Sequence, residues 1–133
     1  QKILTLGNLY AIRDWGHAKD YVESMWKIMQ FKKPDDWVIA TNYEISVKKF
    51  INLCAKRLKI NLIWKNKGVN EVGIDKDLKK IIIKIDKKYF RPGEVDYLKG
   101  DFSKARKILK WKPKYNVNSL IDEMIENELD LYE

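Results

Sequence analysis

The chain has 133 residues, the length of one domain or of part of one, and its 45% hydrophobic and 12% aromatic side chains are enough for a packed core, which excludes disorder as the default. Lysine and arginine number 27 against 19 aspartates and glutamates, a net charge of +8 that invites an anionic partner: nucleic acid, a membrane surface or a phosphorylated small molecule. A single cysteine, Cys54, excludes an intrachain disulfide framework and suits a cytoplasmic setting, and no run of about 18 apolar residues exists to span a bilayer. The sequence opens on Gln1 with neither a Met nor a signal peptide, so we expect that something precedes it.

In chain order, Ile3 to Leu6 is a short apolar, β-branched run closed by Gly7 and Asn8, and it reads as a strand entering a loop. From Ala18 to about Phe31, Val22, Met25, Trp26 and Met29 recur at helical spacing until Pro34 stops the pattern. Trp37 to Ala40 is too short and too continuously apolar for an amphipathic helix. It suits a strand buried on both faces, which implies a parallel sheet. After a loop over 41–45, Ser46 can cap a helix carrying Val47, Phe50, Ile51, Cys54, Ala55 and Leu58 on one stripe.

Ile60 to Trp64 reads as a strand, Lys65 to Lys80 as a lysine-rich solvated loop, and Ile81 to Ile85 as another strand. Asp101 or Ser103 can open a short helix through Ala105, Ile108 and Leu109 that Pro113 ends. Asn118 or Ser119 can open a last one bearing Leu120, Ile121, Met124, Ile125 and Leu129. Helices interleave with short strands, so the expected class is mixed α/β.

Several chemistries are excluded by inspection. With one histidine, His17, and one cysteine, a structural zinc site lacks ligands, and no metal site is expected. The six glycines form neither a G-x-G-x-x-G nor a P-loop. Asp122, Glu123, Glu126 and Glu128 read as the solvated face of the last helix.

Two segments carry candidate chemistry. One is Gly7 to His17, where an arginine, an acid, a tryptophan and a glycine share a loop between strand and helix. The other is Tyr89 to Asp96, in which Pro92 keeps Arg91 extended and Gly93 admits a ligand to the backbone. A guanidinium grips two phosphate oxygens with parallel hydrogen bonds, and an acid can accept both hydroxyls of a ribose diol. Arg13, Arg91 and Glu94 thus outline a nucleotide-diphosphate clamp. Plain alternatives stand beside it: Arg-Pro-Gly-Glu as an ordinary turn, Arg13-Asp14 as a local ion pair, Trp15 and Trp37 as core, and His17 as a hydrogen-bonded residue at a helix start.

At these segments the sequence resembles a known family. LGNLYAIRDWGHAKDYVESMW (Leu6 to Trp26) is similar to the LGN-x-x-x-x-RDWGHAKDYV-x-x-MW block of GDP-mannose 4,6-dehydratases, extended short-chain dehydrogenase/reductases. The likeness continues through VIATNYEISVKKF, NEVG (Asn70 to Gly73), YFRPGEVDYLKGD and KARKILKWKPK, from about Leu4 to the last helix. It implies an α/β fold: the C-terminal, substrate-binding portion over residues 1–133, with a strand and helices of a Rossmann-type sheet.

The resemblance also implies an activity, in which NADP oxidises carbon 4 of the mannose ring of GDP-mannose, water leaves across carbons 5 and 6, and the hydride returns to carbon 6. The product is GDP-4-dehydro-6-deoxy-mannose, which feeds GDP-fucose and related sugars. By motif position, Arg13 and Arg91 contact the diphosphate and Glu94 the ribose, with Asn8 a further substrate contact. The family's NADP fingerprint and its catalytic Tyr-x-x-x-Lys, threonine or serine, and glutamate lie upstream of the matched region, and no tyrosine here is followed four residues later by lysine. The expectation is a chain with substrate contacts but no catalytic or cofactor-binding residues, whose missing N-terminal half carries NADP, and which as a full enzyme is a homo-oligomer with no nucleic acid or membrane partner. Asn42 replaces a family glycine at a loop position, and asparagine tolerates left-handed φ better than most residues. Two rivals remain: a related nucleotide-sugar epimerase or dehydratase, and a stand-alone basic RNA- or polyanion-binding module, against which the placement of the aromatics mainly within apolar runs of the sequence speaks.

Overall fold

A computed structural model describes residues 3–91 and 93–131. Strands β1 (Leu4–Leu6), β2 (Ile12–Asp14), β3 (Glu44–Ser46), β4 (Leu62–Lys65), β5 (Val72–Asp75) and β6 (Lys80–Ile85) are interspersed with helices α1 (Ala18–Met29), α2 (Val47–Arg57), α3 (Ser103–Ile108) and α4 (Val117–Asp130). Two compact units emerge, one of residues 1–11 and 46–96, the other of residues 12–45 and 97–133.

In the first unit four strands lie in the order β1-β6-β5-β4. β1 runs parallel to β6, pairing Leu4 with Ile83 and Leu6 with Ile85, while β4, β5 and β6 form an antiparallel meander. Helix α2 follows the expected stripe: Ser46 caps it by accepting from the Lys49 N–H at 3.2 Å, Ala55 is buried, and only Leu58 of the stripe is exposed. Leu9, Ala11 and Ile83 join Ala55 among the buried apolar side chains of this unit.

The segment expected as a solvated loop contains β5, a central strand. Its inward positions are Gly73 and Asp75, so it lacks the apolar alternation that announces a strand. A Cβ on Gly73 would meet Ile83 Cβ at 3.0 Å, and the Asp75 carboxylate accepts from the Asp77 and Leu78 N–H groups of the hairpin turn. The lysines at 76, 79, 80, 84, 87 and 88 are exposed, as a solvated face requires.

The second unit packs Ala105, Leu109 and Trp111 with Tyr21, Ile28, Trp37, Ile39 and Phe102. Helix α4 opens two residues earlier than Asn118. Asn116 is the N-cap and Ser119 its reciprocal partner, a capping box that answers two backbone donors. Asp101 accepts from the Ser103 N–H at the start of α3, as expected. β2 and β3 pair as a two-stranded ladder inside stretches that read as loops, since three residues each are too few to show a period.

Trp37 to Ala40 is corrected: no strand forms there. An extended segment becomes a strand only when a second backbone answers its N–H and C=O groups, and among the described residues no ladder partner does so. Ala40 is buried against Gly100, where an added Cβ would approach Ala40 Cβ to 2.4 Å, while Val38 is exposed. Asn42 holds φ +58°, the left-handed conformation its asparagine was expected to tolerate.

Candidate functional site

Arg13 and Asp14 end β2 and turn the chain toward α1. The Asp14 carboxylate accepts from the Thr41 N–H at 2.8 and 3.0 Å and from the Thr41 hydroxyl at 2.9 Å, fixing the start of the 41–43 loop. Arg13 is half-buried, and its Nη1 donates to the Ile12 carbonyl at 2.8 Å, which lays the guanidinium along its own strand. Both side chains line a cavity of about 380 Å³ together with Tyr21, Ala40, Lys99 and Gly100. Lys99 is held by Glu44 at 3.2 Å, and the Tyr97 hydroxyl donates to the same carboxylate at 2.8 Å. Those hydrogen bonds, Tyr97 first, keep the Glu44 carboxyl below its ordinary range. The concavity thus carries the Arg13 guanidinium, the Asp14 carboxylate and a lysine paired with Glu44.

His17 takes its plain alternative, whereas Trp15 is half-buried and not a core residue. The indole N–H of Trp15 donates to the Ile45 carbonyl at 3.0 Å. His17 is the N-cap of α1: Nδ1 accepts from the Lys19 N–H at 3.1 Å, Nε2 lies 3.2 Å from Glu123, and the ring stacks on Tyr115 at 4.1 Å. Glu123 therefore departs from the solvated face expected of it, since it also pairs with Lys19 at 2.8 Å.

The other three candidates belong to the first unit. The Glu94 N–H donates to the Arg91 carbonyl at 3.2 Å, closing a turn in which Gly93 has φ +76°, a conformation that favours glycine. Arg91 is exposed and Glu94 half-buried. Pro92, expected to hold Arg91 extended, lies outside the described residues. Asn8 Oδ1 accepts from the Tyr10 N–H at 2.9 Å, and its Nδ2 donates to Asp96 at 3.5 Å. The structure thereby joins the Gly7–Tyr10 loop to the Arg91–Asp96 segment through Asn8. Arg13 belongs to the second unit.

One cluster escaped the sequence reading. Glu71, 2% exposed, accepts from the Tyr10 hydroxyl at 2.6 Å and from the Lys48 ammonium, which also faces the rings of Tyr10 and Trp64 at 5.5 and 4.9 Å. Burial alone would push the Glu71 carboxyl up, but the hydrogen bonds from Lys48 and Tyr10 outweigh it and hold the group below its ordinary value. For Lys48, burial pulls downward and Glu71 more than reverses it, so its ammonium is held above the usual range. Glu71 thus ties the loop of Asn8 to α2. The available signal was the single glutamate, beside two aspartates, within a lysine-rich stretch. A larger concavity of about 770 Å³ runs past Glu71, Lys67 and Lys84 and includes none of the four candidate contacts.

Among the described residues no cluster of His, Cys, Asp and Glu could hold a metal, and no helix is long and apolar enough to cross a membrane. The two glycines of the Gly7 to His17 segment face chain atoms, whereas Gly93 of the other segment has open space where a Cβ would lie. A Cβ on Gly7 would lie 2.2 Å from the Tyr89 carbonyl and one on Gly16 2.1 Å from the Tyr21 hydroxyl, so their backbones close on the chain itself.

The architecture is that of the short-chain dehydrogenase/reductase epimerases and dehydratases. The chain superposes on a UDP-glucose 4-epimerase from Thermotoga maritima, solved with UDP-glucose, at a TM-score of 0.73 and 18% identity, covering 98% of this chain and 36% of that one. RMD from Pseudomonas aeruginosa, complexed with NADPH, gives 0.64 and 14%, covering 90% and 33%.

The family itself is narrower. The GDP-mannose 4,6 dehydratase family model matches residues 1–124. The chain is 47% identical over its full length to GDP-mannose 4,6 dehydratase 2 of Caenorhabditis elegans, of which it covers 35%. It is 45% identical over 127 residues to the GDP-mannose 4,6 dehydratase of Homo sapiens, covering 96% of this chain and 34% of that protein. For the GDP-mannose 4,6-dehydratase of Sinorhizobium fredii the figures are 42% over 129 residues, with 97% and 37% covered. The chain belongs to the GDP-mannose 4,6-dehydratase family, as its RDWGHAKDYV block implied, and spans about a third of the length of these relatives.

Proposed function

We propose that this chain supplies the nucleotide-sugar-binding portion of a GDP-mannose 4,6-dehydratase, a lyase that converts GDP-mannose to GDP-4-dehydro-6-deoxy-mannose through NADP-dependent oxidation, loss of water and reduction. In this reading residues 1–133 are one C-terminal substrate-binding portion, and NADP and the catalytic base come from a part of the enzyme outside them. The polypeptide alone is inactive, and the complete enzyme is a cytoplasmic homo-oligomer without a nucleic-acid or membrane partner.

Arg13 and Arg91 contact the diphosphate, each able to present two parallel N–H donors to phosphate oxygens. Glu94 accepts from the ribose hydroxyls, and Asn8 is a further contact whose loop Glu71 and Asp96 hold in place. The observation that supports this reading most is the match of the GDP-mannose 4,6 dehydratase family model to residues 1–124, a span that holds all four residues. The geometry agrees with it in setting Arg13 on a concave surface beside a restrained lysine.

Calorimetric titration of the chain with GDP-mannose, UDP-glucose and a single-stranded RNA tests the proposal. The reading expects GDP-mannose to bind more tightly than UDP-glucose, and Arg13→Ala or Arg91→Ala to weaken it by about tenfold or more, the loss of one charge-assisted contact at roughly 1.5–3 kcal/mol. Equal affinity for the two nucleotide sugars would favour the related-epimerase reading. Tight RNA binding that falls steeply with salt would favour the polyanion module.

A further inference from the structure

The net charge of +8 is divided unevenly between the two units. Residues 1–11 and 46–96 hold 15 lysines and arginines against 6 acids, a net +9, whereas residues 12–45 and 97–133 hold 12 against 13, a net −1. Each unit carries one element on which charges of its own sign stand unpaired among exposed apolar side chains.

In the first unit that element is the β5–β6 hairpin. Lys76, Lys79 and Lys80 surround Leu78, which is 64% exposed, and Ile81 follows at 39%. The turn is held in one shape. The buried Asp75 carboxylate accepts from the Asp77 and Leu78 N–H groups at 3.0 and 3.1 Å, and the Asn61 carbonyl accepts from the Lys76 N–H at 2.9 Å. A tip ordered before it meets a partner loses little entropy on binding. None of its three lysines forms an ion pair among the described residues.

In the second unit the element is α4, whose 14 residues include five acids and no lysine or arginine. Glu126, Glu128 and Asp130 are exposed in its C-terminal half, where the unanswered carbonyls already carry partial negative charge. Glu126 and Asp130 also repel each other across one turn. These three acids have no ion-pair partner among the described residues. Met124 and Leu129 among them are 51% and 53% exposed. A helix end of this kind is stabilised by cations brought from another element.

The two surfaces answer each other in charge and in apolar content, and a second copy of the chain supplies both at once. We propose that the hairpin tip of one copy docks on the C-terminal half of α4 of another, with Leu78 against Met124 and Leu129, and Lys79 and Lys80 facing Glu126 and Glu128. RNA or an anionic membrane would engage the lysines but leave the acidic helix end uncovered. The contact belongs to this chain's own surface and does not rest on the substrate assignment, so the nucleotide-sugar titrations can succeed or fail without it.

The test treats an equal mixture of isotope-labelled and unlabelled 133-residue chain, at low salt, with a carbodiimide that joins an amine to a carboxylate in contact. Peptides of mixed isotope linking Lys79 or Lys80 to Glu126 or Glu128 are expected. By sedimentation equilibrium the chain should self-associate, with Kd rising about tenfold or more between about 50 mM and about 500 mM salt as the charges are screened. Lys79→Glu/Lys80→Glu and Glu126→Lys/Glu128→Lys should each weaken self-association by about tenfold or more. Mixing the two variants should restore it, because the reversed charges are again opposite. Restoration reports a contact between copies and not a change of fold in either variant. A monomer at every salt concentration, whether or not it binds RNA or anionic vesicles, links found only within one chain, or association that survives both charge reversals would each overturn the proposal.

Discussion

Replacing Glu71 by glutamine removes one charge from the best-buried ionic cluster of the first unit while keeping its shape. The wild-type carboxylate, 2% exposed, accepts from Tyr10 and Lys48, and hydrogen bonds to charged groups contribute roughly 1.5–3 kcal/mol each. Glutamine retains one acceptor, so about half of that total is lost, on the order of 2–3 kcal/mol. The Lys48 side chain is 24% exposed, and solvent access to its ammonium keeps the loss below the about 3–5 kcal/mol of an ion pair broken in a closed core. For a cooperative unit of this size the melting temperature falls by about 10 °C or more.

Linkage gives a second signature. The Glu71 carboxyl titrates lower when folded than unfolded, so its contribution is fully present above the unfolded value of about 4.3 and is lost as pH falls through the lower folded value. The wild-type advantage over Glu71→Gln should therefore be constant between about pH 6 and 7 and decline progressively as pH falls below about 4 and on through the lower folded value. Urea unfolding followed by circular dichroism across this range measures both quantities. A difference within about 0.5 kcal/mol at neutral pH, the range of an ordinary surface substitution, or one that persists unchanged into strong acid, would refute the reasoning.

Other positions give independent checks. Gly100→Ala forces a Cβ to 2.4 Å from that of Ala40 and should cost about 1–3 kcal/mol in thermal unfolding, as overpacking does. Asn116→Ala removes the capping box of α4 and should cost about 1 kcal/mol, read by urea titration. Asn42→Gly, at φ +58°, should leave stability within about 0.5 kcal/mol of wild type, whereas Asn42→Val should lower it by about 1–2 kcal/mol because a β-branched residue resists that conformation.

Much of the fold was legible because its signals are local. Ser46 caps α2 as its hydroxyl and the following stripe predicted, and Pro34 and Pro113 lie beyond helices that had already ended. β5 stayed hidden because its inward residues are a glycine and an aspartate, whose burial depends on Ile83 and on the turn at 77–78. The period of α1 was plain, but a period does not say which face is inward: Asp20 goes inside because Trp111 and the 114–115 backbone donate to it, and the Ser24 hydroxyl is answered there by the Tyr21 carbonyl. Trp37 to Ala40 has the composition of a buried strand without the neighbours that would make it one.

For the candidate site, residue type and motif position are what put forward Arg13, Arg91, Glu94 and Asn8. It could not show that Asn8 is held by Asp96 and the Tyr10 N–H, or that Glu71 secures its loop, since those partners lie up to 88 residues apart.

The most direct measurement replaces the matched segment of the Caenorhabditis elegans relative with these 133 residues and assays GDP-mannose turnover in the presence of NADP. The account predicts formation of GDP-4-dehydro-6-deoxy-mannose by the chimera, a loss of about tenfold or more in kcat/KM on Arg91→Ala, the cost of one phosphate contact, and no turnover by the 133-residue chain alone. A folded chimera that neither binds nor converts GDP-mannose, or turnover by the chain on its own, would contradict it.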